Sequence, residues 1–224
     1  MTGFSHGVAG VGYALLELFH ATRNSSYHYG AEQAFGYERQ WFDEEAGNWP
    51  DLRTELGRRS HPESPLSFAT LWCHGAPGIA LSRLRAYEIL HDQKCKAEAI
   101  IGVQATRKTI ETWLHSGTAN YCLCHGLAGN AELFPYGSQV LAEELEGESE
   151  LAIKVANNGI KMYSKTEHQW PCGTGGGDTP SLMLGRAGIG YFYLRLHNPR
   201  TPSVLLLRHE DFFHKPMQKA ENGT

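Results

Sequence analysis

The chain has 224 residues with 20 Lys or Arg against 24 Asp or Glu, a formal net charge of −4, and only 20% charged residues. That balance excludes a nucleic-acid binder that relies on a basic field, and 41% hydrophobic residues exclude a disordered chain. The length suits one large domain or two small ones. Leu and Ala total 45 against 14 for Ile plus Val, which favours helices over strands, while 25 glycines must sit largely in turns between them.

A Gly-x-x-Gly turn occurs four times: His6-Gly7-Val8-Ala9-Gly10, His74-Gly75-Ala76-Pro77-Gly78, His125-Gly126-Leu127-Ala128-Gly129 and Leu184-Gly185-Arg186-Ala187-Gly188. The leading glycines lie 68, 51 and 59 residues apart, room for two helices and their loops. Each turn predicts the start of an apolar helix. The first has Val11, Ala14, Leu15, Leu18 and Phe19 as an expected buried stripe. Between the turns, amphipathic helices are predicted over Ala31 to Phe42, Ala97 to Leu114 and Glu150 to Tyr163. Repeated pairs of one apolar and one amphipathic helix point to an all-α architecture, an α/α toroid with the apolar helices inside. Loops 47–52 and 170–177 are aromatic and turn-rich, and gathered at one end of a ring they would form a mouth. The expected layout is one domain over residues 1–208 and a frayed polar tail over 209–224.

Five cysteines, at Cys73, Cys95, Cys122, Cys124 and Cys172, cannot all pair within one chain. No basic start followed by an apolar stretch marks an export signal, so a reducing, cytoplasmic location is expected. The segment from Val8 to Phe19 is too short for a membrane span. Trp72-Cys73-His74-Gly75 and Cys124-His125-Gly126 put thiols and imidazoles at the same turn of successive repeats. Two thiolates and one imidazole form a three-ligand zinc set with a fourth position free, as in catalytic sites. Buried core residues are the other reading, since no Cys-x-x-Cys pair is present.

The motifs Gly3-Phe4-Ser5-His6-Gly7-Val8-Ala9-Gly10, Gly47-Asn48-Trp49-Pro50-Asp51-Leu52-Arg53, Trp72-Cys73-His74-Gly75-Ala76-Pro77-Gly78, Cys124-His125-Gly126-Leu127-Ala128-Gly129-Asn130 and Pro180-Ser181-Leu182-Met183-Leu184-Gly185 resemble, in order, the lanthionine synthetase C-like family. The likeness is strongest to the C-terminal cyclase domain of class II lanthipeptide synthetases. It implies a zinc-dependent cyclase that adds peptide cysteine thiols to dehydroalanine or dehydrobutyrine, with a dehydrated precursor peptide as substrate. Matched motif to motif, Cys73, Cys124 and His125 would be the Zn2+ ligands and His6 the acid/base histidine. Trp49, Asp51, Arg53 and His74 would contact the peptide or fix the loops. Cys122 is an alternate ligand or a small buried thiol, Cys95 is structural, and Cys172 stays open.

Family cyclase domains are about twice this length, so the resemblance also implies that hairpins before Met1 and the dehydratase domain lie outside this chain. Exposed inner-helix surface then predicts self-association or a partner chain that completes the ring. A non-catalytic zinc- or peptide-binding remnant and an enzyme acting on glutathione are the alternative functions.

Overall fold

In the computed structural model the described residues are 1–53, 66–164, 169–175 and 177–211. Among them the only regular elements are helices, with two isolated bridges, Asp43 to Asn48 and Asp51 to Ser67, pinning the loop that ends the first repeat. The order is α1 (Val8–Thr22), α2 (Ser25–Arg39), α3 (Ala76–Leu90), α4 (Gln93–Ser116), α5 (Leu127–Ala131), α6 (Leu133–Val140), α7 (Glu150–Tyr163) and α8 (Arg186–His197), then a 3-10 turn over His209–Asp211. Helices α1 and α2 pack as one hairpin and α3 and α4 as the next. Helices α5 and α6 make the inner limb of a third, with α7 outside. The inner limbs also touch in sequence, α1 on α3, α3 on α6, and α5 on α8. This is the all-α, inner-and-outer arrangement expected of the repeats.

Local chemistry accounts for the boundaries. All four inner limbs take a glycine as N-cap, Gly7, Gly75, Gly126 and Gly185, with no capping side chain of its own. At Gly75, φ is +88°, and a Cβ would lie 1.8 Å from the Ala69 carbonyl oxygen. Only glycine tolerates that combination. The second glycine of each motif has a steric reason too. A Cβ on Gly10, Gly78, Gly129 or Gly188 would fall 1.8–2.1 Å from the carbonyl oxygen of Phe4, Trp72, Leu123 or Leu182, so each turn folds its incoming strand of chain onto the helix it starts. The third inner limb is broken at Glu132 because Pro135 has no N–H to offer Ala131 and its ring crowds that carbonyl. Outer helices α2 and α4 begin on Asn24 and Asp92, whose side chains accept from Ser26 N and Lys94 N.

Two expectations are corrected. Helix α2 runs over Ser25–Arg39 instead of Ala31 to Phe42, because Asn24 caps it early. In α1 the buried residues are Ala9, Gly12, Tyr13 and Leu16, while Val11, Ala14 and Leu18 are exposed. Apolar periodicity identified the helix but not the face that meets α2 and α3. At the start of the polar tail Glu210 pairs with Arg85 and Asp211 with Arg208. The remainder of that tail, from residue 212, lies outside the described residues. Just before it, Leu205 and Leu206 are buried among the inner limbs, where the Leu205 carbonyl accepts from Trp72 Nε1 at 3.2 Å and the Leu207 carbonyl from the Tyr13 hydroxyl.

Candidate metal centre

The four turns are stitched together by their main chains. Ser5 N donates to Cys73 O (3.2 Å), Cys73 N to Cys124 O (3.3 Å), and Cys124 N to Met183 O (2.9 Å). These residues hold the same place in each repeat, two before the cap glycine, so one backbone ladder crosses the end of the inner limbs. It brings Cys73 beside Cys124 although 51 residues separate them. The two thiols share a hydrogen bond, which with burial pushes Cys73 well above the ordinary thiol range. The same bond, working against burial and helped by His125, holds Cys124 below that range. The pair therefore gives up its first proton readily and its second with difficulty.

His125 is half-buried, and its Nε2 lies 2.9 Å from the carbonyl oxygen of Gly173, itself tied by its N–H to Leu184 O at 2.8 Å. Its ring also meets Cys122 and Cys124, whose hydrogen bonds push it up to about 10. The two shifts run in the same sense, favouring a charged imidazole and a charged sulfur side by side. Among the described residues no three His, Cys, Asp or Glu side chains are already grouped as a set that could hold a metal ion. The donors nonetheless fit a zinc ion in kind: two soft sulfurs in contact, and an imidazole whose Nε2 faces a backbone carbonyl, leaving Nδ1 to donate.

His6 is exposed, and its ring stacks on that of His74 at 5.2 Å between centroids and 13° between planes. It lies within electrostatic reach of Cys124. His74 is 1% exposed with no hydrogen-bond partner on either ring nitrogen, and its Nδ1 lies 3.9 Å from Asp51 Oδ1. Burial, opposed by Asp51 and reinforced by Arg53 and His6, holds its pKa below the ordinary histidine range. Asp51 takes three bonds from the exposed Arg53 side chain, at 2.6–3.0 Å, and one from the Arg53 N–H. Those bonds outweigh burial and hold the carboxyl low. The Arg53 guanidinium in turn lies within electrostatic reach of Cys73 and Cys124. The structure therefore gathers Cys73, Cys124, His125, His6, His74, Asp51 and Arg53 at one end of the inner limbs.

Trp49 stands apart. It is 1% exposed and packs with Phe42, Ala9 and Ile79, which makes it the anchor of its loop and takes it out of reach of a substrate. Its neighbour Asn48 was missed by sequence reasoning. Its Oδ1 accepts from Ala76 N at 2.9 Å, capping α3 from another loop, and its Nδ2 donates to Ala69 O and Thr70 Oγ1, both at 3.2 Å. The absence of a capping side chain at Gly75 was the available signal. Cys122 is fully buried and accepts from His125 N at 3.4 Å. Cys95 is buried on α4, where burial pushes its thiol up to about 12, as a structural residue would be. Cys172 is half-buried. A cavity of about 400 Å³ lies at the opposite end, between α6, α7, α8 and the final segment, and no residue of the thiol cluster lines it.

Comparison with known proteins agrees with this geometry. A curated relative, the lacticin 481/lactococcin biosynthesis protein LcnDR2 of Lactococcus lactis subsp. lactis, is 24% identical over 202 residues. The match covers 87% of this chain and 20% of the relative, so the chain spans about a fifth of that protein's length. The family model described as lanthionine synthetase C-like protein matches residues 1–206, which take in every turn of the backbone ladder. The chain belongs to the lanthionine synthetase C-like family.

Proposed function

We propose that this chain is the cyclase portion of a lantibiotic-type peptide-modifying system, joining cysteine thiols of a dehydrated peptide to its dehydroalanine or dehydrobutyrine residues. The observation that carries the reading is the pairing of Cys73 with Cys124 across the ladder, with His125 against one thiol and His6 within electrostatic reach. Cys73, Cys124 and His125 would hold a zinc ion. When bound, zinc lowers the pKa of a coordinated thiol and so supplies a thiolate nucleophile at neutral pH.

The chemistry balances without a co-reactant. The sulfur adds to the β-carbon of the dehydro residue, the C=C electrons pass to the carbonyl as an enolate, and a proton returns to the α-carbon. His6, exposed at the same end of the inner limbs, would take the thiol proton and give one to the α-carbon. Its stacking on His74 fixes the ring plane. Arg53 presents its guanidinium at the same end, anchored by Asp51, where it can meet a peptide carbonyl or carboxylate.

The test is incubation of the chain, loaded with zinc, with a dehydrated peptide that carries free cysteine. The reading predicts loss of free thiol with unchanged mass, at a rate that falls to background in Cys124→Ala and by about 100-fold or more in His6→Ala. A wild-type rate no faster than the uncatalysed addition would overturn it.

A further inference from the structure

A buried ion network underlies the turn that carries His6. Glu38, near the end of α2, is 0% exposed, and its two carboxylate oxygens face different partners. Oε2 accepts from Arg83 Nη2 of α3 at 3.0 Å, and Oε1 accepts from the main-chain N–H of Gly3 at 2.8 Å. Arg83, also 0% exposed, is fixed in turn: it bonds Glu98 of α4 and Ser82, and its guanidinium lies 4.1 Å from the centre of the Phe35 ring. Glu98 is held by Arg39. A chain of charges thus runs from α4 through α3 and α2 and stops at one peptide N–H.

That peptide lies against the thiol turn. Gly3 is buried with φ at +101°, and a Cβ on it would stand 3.0 Å from Cys73 O and 3.1 Å from His74 Cα. Two residues on, Ser5 N donates to Cys73 O, and the next residue is His6, whose ring stacks on that of His74. Residues 3–6 are therefore gripped from two directions, by the Cys73 turn through its main chain and by α2 through Glu38. A buried ion pair is weak ground for stability, because apolar residues of similar volume often serve as well. An acceptor for the buried Gly3 N–H is something apolar residues cannot supply, and without one the turn must shift to satisfy that group elsewhere.

We propose that Glu38 is a positioning residue for His6. By accepting from Gly3 N it holds the turn from Gly3 to His6 in the register that lays the His6 ring on His74, within electrostatic reach of Cys124. This rests on the reading of His6 as the acid/base group, since its placement matters to the rate only if it moves a proton there. Misplacing a catalytic group by about 1 Å can cost about 100-fold in rate.

Two double variants separate positioning from stability: Glu38→Gln with Arg83→Met, and Glu38→Met with Arg83→Met. Both remove the ion pair, so both lose whatever stability it contributes, and neither leaves half of it buried alone. Arg83 serves the arrangement by balancing the charge of the carboxylate, a need that a neutral amide does not have. Only the Gln-bearing pair offers the Gly3 N–H an acceptor. Zinc content and helicity should match the wild type in both, and Glu38→Leu with Arg83→Leu replaces the Met-only pair if that pair does not fold. In cyclisation of a dehydrated peptide, the Gln-bearing pair should keep a kcat close to that of the wild type, while the Met-only pair loses about 100-fold in kcat with KM unchanged. NMR supplies a readout independent of turnover: the His6 ring protons, shifted by stacking on His74, should keep that shift in the Gln-bearing pair and lose it in the other. Equal His6 shifts in the two pairs, or equal kcat in an active enzyme, would overturn the proposal. A wild type that forms no rings, while the His6 shifts still separate the two pairs, would overturn the cyclase reading and leave the placement of His6 by Glu38 standing.

Discussion

The two ends of the inner limbs are built differently. At the end opposite the thiols, Arg85 of α3 is 2% exposed and paired with Glu17, Glu88 and Glu210, Tyr136 donates to Glu88 at 2.8 Å, and Glu132 takes Arg195 and Ser203. Those ion pairs tie α1, α3, α6, α8 and the final segment to one another through side chains. At the thiol end the elements are joined by main-chain bonds, and the side chains carried on that ladder are left over: two sulfurs sharing a proton and a buried imidazole with neither nitrogen bonded. Buried polar groups are normally satisfied, so a buried imidazole with neither nitrogen bonded beside two coupled thiols marks the thiol end as the place where a ligand or a reaction is expected, even though one oxygen of Glu132 also lacks a partner at the far end. Anchoring by backbone lets the side chains of one turn serve chemistry while the far end supplies stability.

Substitutions can break this contrast. The largest effect is expected for Gly129→Ala, whose Cβ would stand 1.8 Å from Leu123 O. It should cost about 3 kcal/mol or more in urea unfolding, whereas Gly36→Ala in α2, with nothing within 4 Å, should stabilise by about 0.5–1 kcal/mol. Next comes Arg85→Met, which strips three carboxylates of their partner and should cost about 3 kcal/mol while leaving thiol reactivity at the other end unchanged. Metal affinity should depend on pH with a definite sign. His125, pushed up to about 10, and the shared thiol proton must both be displaced, so zinc should bind more tightly as pH rises from 6 to 8 and release protons into a weakly buffered solution. The smallest effect on stability, under about 1 kcal/mol, is expected for Arg53→Ala, since that side chain is half exposed. If Arg53 serves the site, its loss should appear in the KM for peptide instead.

Much of this was legible in the sequence because the repeat is short-range and steric. Each Gly-x-x-Gly turn marks a helix start, and turns that recur at the same place in successive repeats bring Cys73 to Cys124. Other features depended on distant partners. Arg83 and Arg85 lie fully buried in a helix read as apolar, made possible by Glu38, 45 residues away, and Glu17, 68 residues away. The inward face of α1 was misread for a related reason: Val11 and Leu18 are as apolar as any core residue, and only the position of α3 shows which row turns inward. His125 posed a third limit, because its tie to Gly173 joins a turn to a loop that sequence spacing could not place beside it.

The most direct measurement is zinc content per folded chain by elemental analysis, in the wild type and in Cys73→Ala, Cys124→Ala and His125→Ala. The account predicts about one zinc per wild-type chain, lost or sharply reduced in all three variants, with their helicity unchanged. A wild-type chain that folds and remains free of zinc when offered the metal, or one whose zinc survives loss of Cys124, would contradict it.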